Sequence, residues 1–357
     1  MTTETALLAA IADGSPGAHE VYADWLVERG DPRGELIHVQ LARETVPTDP
    51  LLEARERELF AAHLATWLPG DQFWLDRTPE VTWRRGFLDG AVFGSSYEAA
   101  SAQGYAEVAV LPVAAMLREL EFHAPYSHHG EGADDDMIVE ALLAAPPPPS
   151  LRTLVLTCGD RQRAWSHLGN VARIFPLIPG VERFVVDAGR VELGAIALPR
   201  CRTLTVINSG MRGHVLRDLA AASWPHLERL ELFLGNGNYG ADYTLEDVAR
   251  LLATSFPKLT SLGLTGCELG DEVAPVIAQA PLLRQLRTLD LSSSTMGPSA
   301  ADAMLAHADR FAHLESLDLS ANFFRSTTEL ATLCREVVVG MQHEEIPNYG
   351  RYVDGAE

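Results

Sequence analysis

Basic residues are scarce in this sequence. Lys and Arg number 28 against 49 Asp and Glu, leaving the 357-residue chain at a net charge of −21. A chain this acidic is repelled by phosphate backbones and anionic lipid, so neither nucleic acid nor a membrane surface is an expected partner. The same acidity aids solubility. Cysteine is also sparse. Cys158, Cys201, Cys267 and Cys334 lie far apart with no CxxC spacing, so we expect neither a disulfide framework nor a zinc site. No early basic segment leads into an apolar run, and no apolar run reaches membrane-spanning length. These absences place the expected compartment in the reducing cytoplasm. There is no GxSxG, no dinucleotide fingerprint and no Cys–His pairing with a shared orienter, so no catalytic set, enzyme activity or cofactor is expected.

What the chain has is a repeat. Residues Leu259 to Phe324 carry one short phrase three times: Leu259-x-x-Leu262-x-Leu264, Leu286-x-x-Leu289-x-Leu291 and Leu314-x-x-Leu317-x-Leu319. The spacing is 27 or 28 residues, inside the leucine-rich-repeat period of roughly 20–29. Leucines two apart point to one side of a strand, and the residues between them point to the other. A single unit cannot bury its leucines, so neighbours must stack, with helical segments returning the chain between strands. Val273, Val276, Ile277 and Leu283 recur at helical spacing in one return, after a Gly270-Asp271 turn in which Asp271 reads as the N-cap. Five further phrases begin at Leu117, Leu151, Val181, Cys201 and Leu227, giving about eight repeats. The return after Val186 is too short for a full helix. Val337-Val338-Val339 reads as a last strand.

The turn after each strand must pair its buried backbone groups, a task that repeats of this type give to Asn or Cys. Cys267 and Asn322 stand there; Gly159, Gly189, Ser209, Gly235 and Ser294 stand there elsewhere. The middle turns should therefore be less regular. On Leu259–Leu269 and Gly270–Ala274 the sequence resembles the ribonuclease-inhibitor type of leucine-rich repeat. That resemblance implies an α/β horseshoe solenoid with a parallel concave sheet.

Toward the N-terminus, Leu7, Leu8 and Ile11 mark one helix, and Val21, Tyr22, Trp25 and Leu26 a second, ended by Gly30. Asp31-Pro32 restarts a third. Asp49-Pro50 opens a fourth, roughly Leu51 to Leu68, with Leu52, Leu59, Phe60, Leu64 and Trp67 on its buried face. The run Tyr22 to Ile37 (YADWLVERGDPRGELI) resembles the bacterial repeat-companion domain, a short module that accompanies leucine-rich repeats. The resemblance covers residues 4–44 and implies an architecture, not a reaction. Asp24, Glu28, Arg29, Asp31, Arg33 and Glu35 admit a paired-carboxylate catalytic reading, but charge pairing and helix capping explain them more simply.

Val81 to Leu88 reads as a strand within an aromatic-rich segment, Phe73, Trp74, Trp83, Phe87 and Phe93. It would cap the first repeat; Trp83 with Arg84-Arg85 offers a cation–π patch as the alternative. The expected division is a helical module over 1–70, cap strand and helix over 71–116, repeats over 117–342, and a polar tail over 343–357 that frays. His128, His129, Glu131 and Asp134–Asp136 are either a divalent-cation loop or an acidic surface loop. Their spacing fits neither an EF-hand nor His-Glu-x-x-His, so no metal is assigned. Gly235–Gly240 is glycine-rich, but no Lys follows, and Asp242, Glu246 and Asp247 would repel phosphate; a wide turn fits better.

If the strands stack in register, the wall opposite the leucines carries Val155, Arg183, Val185, Asp187, Ile207, Arg229, Glu231, Phe233, Asp290 and Asp318. Val155, Val185, Ile207 and Phe233 would form an exposed apolar strip flanked by Arg183 and Arg229, as in a protein-binding hot spot, although β-branched residues also simply suit strands. The expected function is a scaffold or adaptor that binds a protein or peptide on this wall. The alternative is an enzyme or regulator whose N-terminal module acts while the repeats recruit substrate.

Overall fold

The computed structural model describes residues 3–68, 80–94, 100–123, 137–157, 163–348, 350–353 and 355. Four helices open it: α1 (Thr3–Ala12), α2 (Ala18–Val27), α3 (Arg33–Thr45) and α4 (Pro50–Trp67). Their boundaries follow from local chemistry. Gly30, at φ 72°, ends the turn after α2. The Asp31 carboxylate accepts the Arg33 N–H at the start of α3, and Asp49 accepts the Leu51 N–H ahead of Pro50. Leu59 and Trp67 are buried on α4, whereas Leu64 is exposed, so the buried face is narrower than its leucines suggest.

The rest is built on one eleven-stranded sheet. Its strands are β1 (Val81–Arg84), β2 (Phe87–Gly94), β3 (Glu119–His123), β4 (Thr153–Thr157), β6 (Arg183–Asp187), β8 (Thr203–Ile207), β9 (Arg229–Phe233), β10 (Ser261–Thr265), β11 (Thr288–Asp290), β12 (Ser316–Asp318) and β13 (Val337–Val338). The short β5 (His167–Asn170) and β7 (Arg190–Glu192) pair with each other. Among the described residues, β1–β2 is the one antiparallel pair of the large sheet; every later neighbour in it is parallel and follows chain order. This is a mixed α/β fold with a large, mostly parallel sheet, and each strand phrase read from the sequence occupies one strand of it.

Register places the leucines together. Leu154, Phe184, Leu204, Leu230, Leu262, Leu289 and Leu317 form one transverse row, and all are buried. Burying a side chain of this size contributes about 1.5–3 kcal/mol, and a one-residue slip would turn the whole row to the other face. Helices Gly213–Ala221, Leu245–Leu252, Val273–Gln279 and Pro298–Ala306 supply the opposing apolar layer. Leu36, Val39, Leu59 and Trp67 join that same core, so the helical segment is fastened to the sheet by shared packing.

Three details differ from the sequence reading. Val81–Leu88 is not one strand. Arg85 and Gly86 both have positive φ, 49° and 74°, and turn the chain into the β1–β2 hairpin. Asp271 does not cap its own helix. It accepts from Gly297 and Ala300 N–H, and so caps the helix of the following unit. The described residues of the tail make side-chain contacts with units far upstream. They are docked along the sheet by contacts described below.

Candidate functional site

Seen from the side opposite the leucines, the strands lay down three transverse rows. The row nearest the strand starts holds Glu119, Thr153, Arg183, Thr203 and Arg229. The middle row holds Val155, Val185, Thr205, Glu231, Gly263, Asp290 and Asp318. The row at the strand ends holds Thr157, Asp187, Ile207, Phe233 and Thr265.

The expected apolar strip is therefore split in two. Val155 and Val185 pair with each other in the middle row, while Ile207 and Phe233 pair at the strand ends. Val155 and Val185 are also only 9% and 8% exposed. Asp187 is not part of an open wall. It is 7% exposed, takes Nε of Arg163 at 2.5 Å and accepts from the Thr157 hydroxyl at 3.5 Å. Nothing in the sequence flagged Arg163, which lies in an irregular return. Its guanidinium also stands 5.8 Å from the Phe233 ring, and that ring fills the space where Gly266 lacks a side chain.

What the middle row does present is negative charge. Asp290 and Asp318 are directly paired neighbours, and each accepts the N–H two residues on, Ser292 at 2.9 Å and Ser320 at 2.8 Å. These bonds fix the carboxylates in place. Like charges directly opposite are unfavourable in a sheet. Two strands away, Glu231 has room only because Gly263 has no side chain; a Cβ there would overlap the Glu231 carboxylate. Burial pushes the Glu231 carboxyl above its ordinary range, nearby Asp290 adds to the rise, and Arg229 at 3.7 Å opposes it. The exposed Arg183 and Arg229 flank this row at the strand starts.

The direction of that shift is testable. A carboxyl with a raised folded-state pKa penalises the fold above that pKa and ceases to do so below its ordinary value. Glu231→Gln should therefore melt higher than the parent at pH 7, and the two curves should converge as the pH falls through and below 4.5, the ordinary Glu value. Differential scanning fluorimetry across pH reads this; a gain independent of pH would refute the ionisation argument.

The turns behind the face combine three solutions. Asn322 is fully buried and donates to the carbonyls of Leu291, Leu319 and Ser320 while accepting the Met296 N–H. Ser294 accepts the Cys267 N–H and donates to the Ser292 carbonyl. Gly189 and Gly235 have no side chain to offer, and the neighbouring backbone fills the space instead, Arg163 and Ala164 against Gly189 and Ser209 against Gly235. Position 159 lies outside the described residues.

At the junction of α3 and the hairpin, a cleft of about 360 Å³ is lined by Gln40, Arg43, Glu44, Glu56, Trp83 and Arg85, among others. Its charges pair internally: Arg43 with Glu56, and Arg84 and Arg85 with Glu44. Trp83 packs against Phe60 and Trp67 as a cap would. Several charged residues of the Tyr22–Ile37 run also have partners within the helical segment. Asp24 meets His38 at 3.0 Å, Arg29 lies over Trp25, and Glu35 meets Arg55 at 2.6 Å. Arg33 is buried with its Nη2 on the Tyr22 hydroxyl. Among the described residues no cluster of three or more His, Cys, Asp or Glu is placed to hold a metal, and no helix is long and apolar enough to cross a membrane. The His128–Asp136 loop, Phe73 and Trp74 lie outside the described residues.

No protein-family model matches the sequence, and no curated protein matches it. Solved structures do. A protein from Bacteroides fragilis superposes with a TM-score of 0.65 at 17% identity, over 86% of this chain and 86% of that one. An internalin from Listeria monocytogenes matches over 79% of this chain and 96% of that one, at 12% identity and a TM-score of 0.23. The likeness to the Bacteroides protein is one of fold.

Proposed function

We propose that the chain is a leucine-rich-repeat horseshoe of the ribonuclease-inhibitor kind, led by an all-α repeat-companion module, and that it acts as a cytoplasmic scaffold or adaptor. Its open sheet face binds a protein or peptide through a basic segment of that partner. The observation that carries the reading is the acidic row, in which Glu231, Asp290 and Asp318 share one register line across the gap left by Gly263. Aligned carboxylates, Asp290 and Asp318 among them held by backbone bonds, fit a cationic partner. The net charge of −21 works in the same direction by steering such a partner in.

The alternative gives the activity to the N-terminal module and recruitment to the repeats. The cleft beside Trp83 favours it, but the internal pairing of its carboxylates with arginines favours a structural role for those groups. The experiment is affinity capture from the native cell with the parent protein and an Asp290→Lys/Asp318→Lys variant. We expect one set of proteins held by the parent and lost by the variant, an affinity drop of about tenfold or more, in a protein that stays folded with a modestly lower melting temperature, since the two lysines still face each other as like charges and cannot accept the Ser292 and Ser320 N–H groups. The same proteins retained by both would sink the reading.

A further inference from the structure

The residues after His343 return over strands laid down long before them. His343 N–H donates to the Asn322 carbonyl beyond β12. Ile346 and Gly350 then close a small loop with two mutual backbone bonds of 2.9 Å. Arg351 follows, reaching back to the turns after β10 and β11. Its Nη1 meets the Asp271 carboxylate at 3.0 Å and the Thr295 carbonyl at 3.1 Å, and its Nε meets Glu345 at 3.0 Å. Tyr352 stands edge-on to Phe323, and Val353 is buried. The Gly355 carbonyl accepts from Arg163 Nη1 at 2.8 Å, beside Phe233 at the end of β9.

The Arg351 slot is shaped for a guanidinium. Gly297 forms its floor, and any side chain there would occupy the space of the Arg351 head group. Asp271 is held from behind by the N–H groups of Gly297 and Ala300, which leaves its other oxygen aimed at the arginine. Among the described residues, no backbone–backbone bond joins 344–353 to the sheet. The segment is held by side chains in discrete slots, as a bound peptide is, rather than woven in as a strand.

We infer that the strand-end edge of the sheet is a peptide-binding track for a partner segment bearing an arginine followed by an aromatic and an aliphatic residue, and that the chain's own Arg351-Tyr352-Val353 occupies it in cis. This goes beyond the open-face reading, because the track lies along the turns after the strands and stands or falls without the Asp290–Asp318 row. A tethered occupant competes at an effective concentration in the millimolar range. The track in the intact chain is therefore closed to a weak ligand and opens to a stronger one, or when the tail is released.

The test uses the full-length protein. Arg351→Glu detaches the tail but leaves Asp271, Thr295 and Gly297 intact. A fluorescein-labelled peptide of residues 343–355 is then titrated by anisotropy against the parent and the variant. The expected result is binding to Arg351→Glu at least tenfold tighter than to the parent, and loss of that binding when the peptide carries Ala in place of its arginine. No binding to a folded Arg351→Glu protein, or equal binding of both peptides, overturns the inference. Tyr352→Ala is the second detaching variant. If both variants unfold, the segment is a fixed part of the fold and the inference fails. The Asp290→Lys/Asp318→Lys variant should bind the peptide as the parent does, which separates this outcome from that of the open-face test.

Discussion

Replacing Gly235 by alanine should lower the melting temperature by about 5–10 °C, whereas the same change at Gly14 should lower it by only a degree or two. Both glycines have positive φ, 65° and 71°, so both substitutions carry the left-handed penalty of about 1–2 kcal/mol. They differ in what a Cβ would meet. At Gly14 nothing lies within 4 Å. At Gly235 the new carbon would fall on the Ser209 carbonyl, backbone of the preceding turn that is itself tied to Asn236 N–H at 2.9 Å. That carbonyl cannot swing away as a side chain would. The added cost is about 2–3 kcal/mol, in the range for an overpacked site. Because Gly235 stands two residues after Phe233, the strand end beside Arg163 should loosen first, with faster amide exchange in β8 and β9. Equal melting temperatures for the two variants would show that backbone conformation alone sets the cost.

Asn322→Asp should be about as damaging at neutral pH and should recover on acidification. The shapes are the same, but the amide nitrogen donates to three carbonyls, Leu291 at 2.9 Å and Leu319 and Ser320 at 3.2 Å. A carboxylate would place an anionic oxygen against those three oxygens in a fully buried site. Leaving such a charge uncompensated costs about 3–5 kcal/mol. Protonation restores a donor, so the deficit should shrink as the pH falls. Asn236→Asp is the control. Asn236 accepts the Asn238 N–H at 2.9 Å as a helix cap, a bond that aspartate keeps; its change should stay within about 1 kcal/mol. If Asn322→Asp loses no stability at pH 7, the inter-turn amide is not what fastens β11 to β12.

The strands were legible because two independent periods agree in them, alternation within the phrase and recurrence between phrases. Register followed from the leucines at once. The chemistry of the open face did not, since a strip of apolar residues in sequence order takes no account of which row each joins: Val185 pairs with Thr205, and Asp187 with Ile207. The hairpin was missed because arginine rarely takes positive φ, so Arg85-Gly86 does not announce a turn. Asp187 was read as part of the open wall, and Asp271 as the cap of its own helix. Their actual partners, Arg163 for Asp187 and the Gly297 and Ala300 N–H groups for Asp271, lie 24, 26 and 29 positions away. The tail is illegible for the same reason. Arg351 meets Asp271 across 80 positions and Gly355 meets Arg163 across 192, and no local signal reaches so far.

That last separation has a consequence for how the molecule is made. Units that touch only adjacent units can settle one at a time as the ribosome delivers them. The clasp of Arg351 and Gly355 cannot, because its anchors on Asp271, Thr295 and Arg163 await residues 80, 56 and 192 positions further on. A nascent chain therefore passes through an interval in which its sheet is complete and its edge bare. During that interval the slot formed by Asp271, Thr295 and Gly297 lacks its arginine.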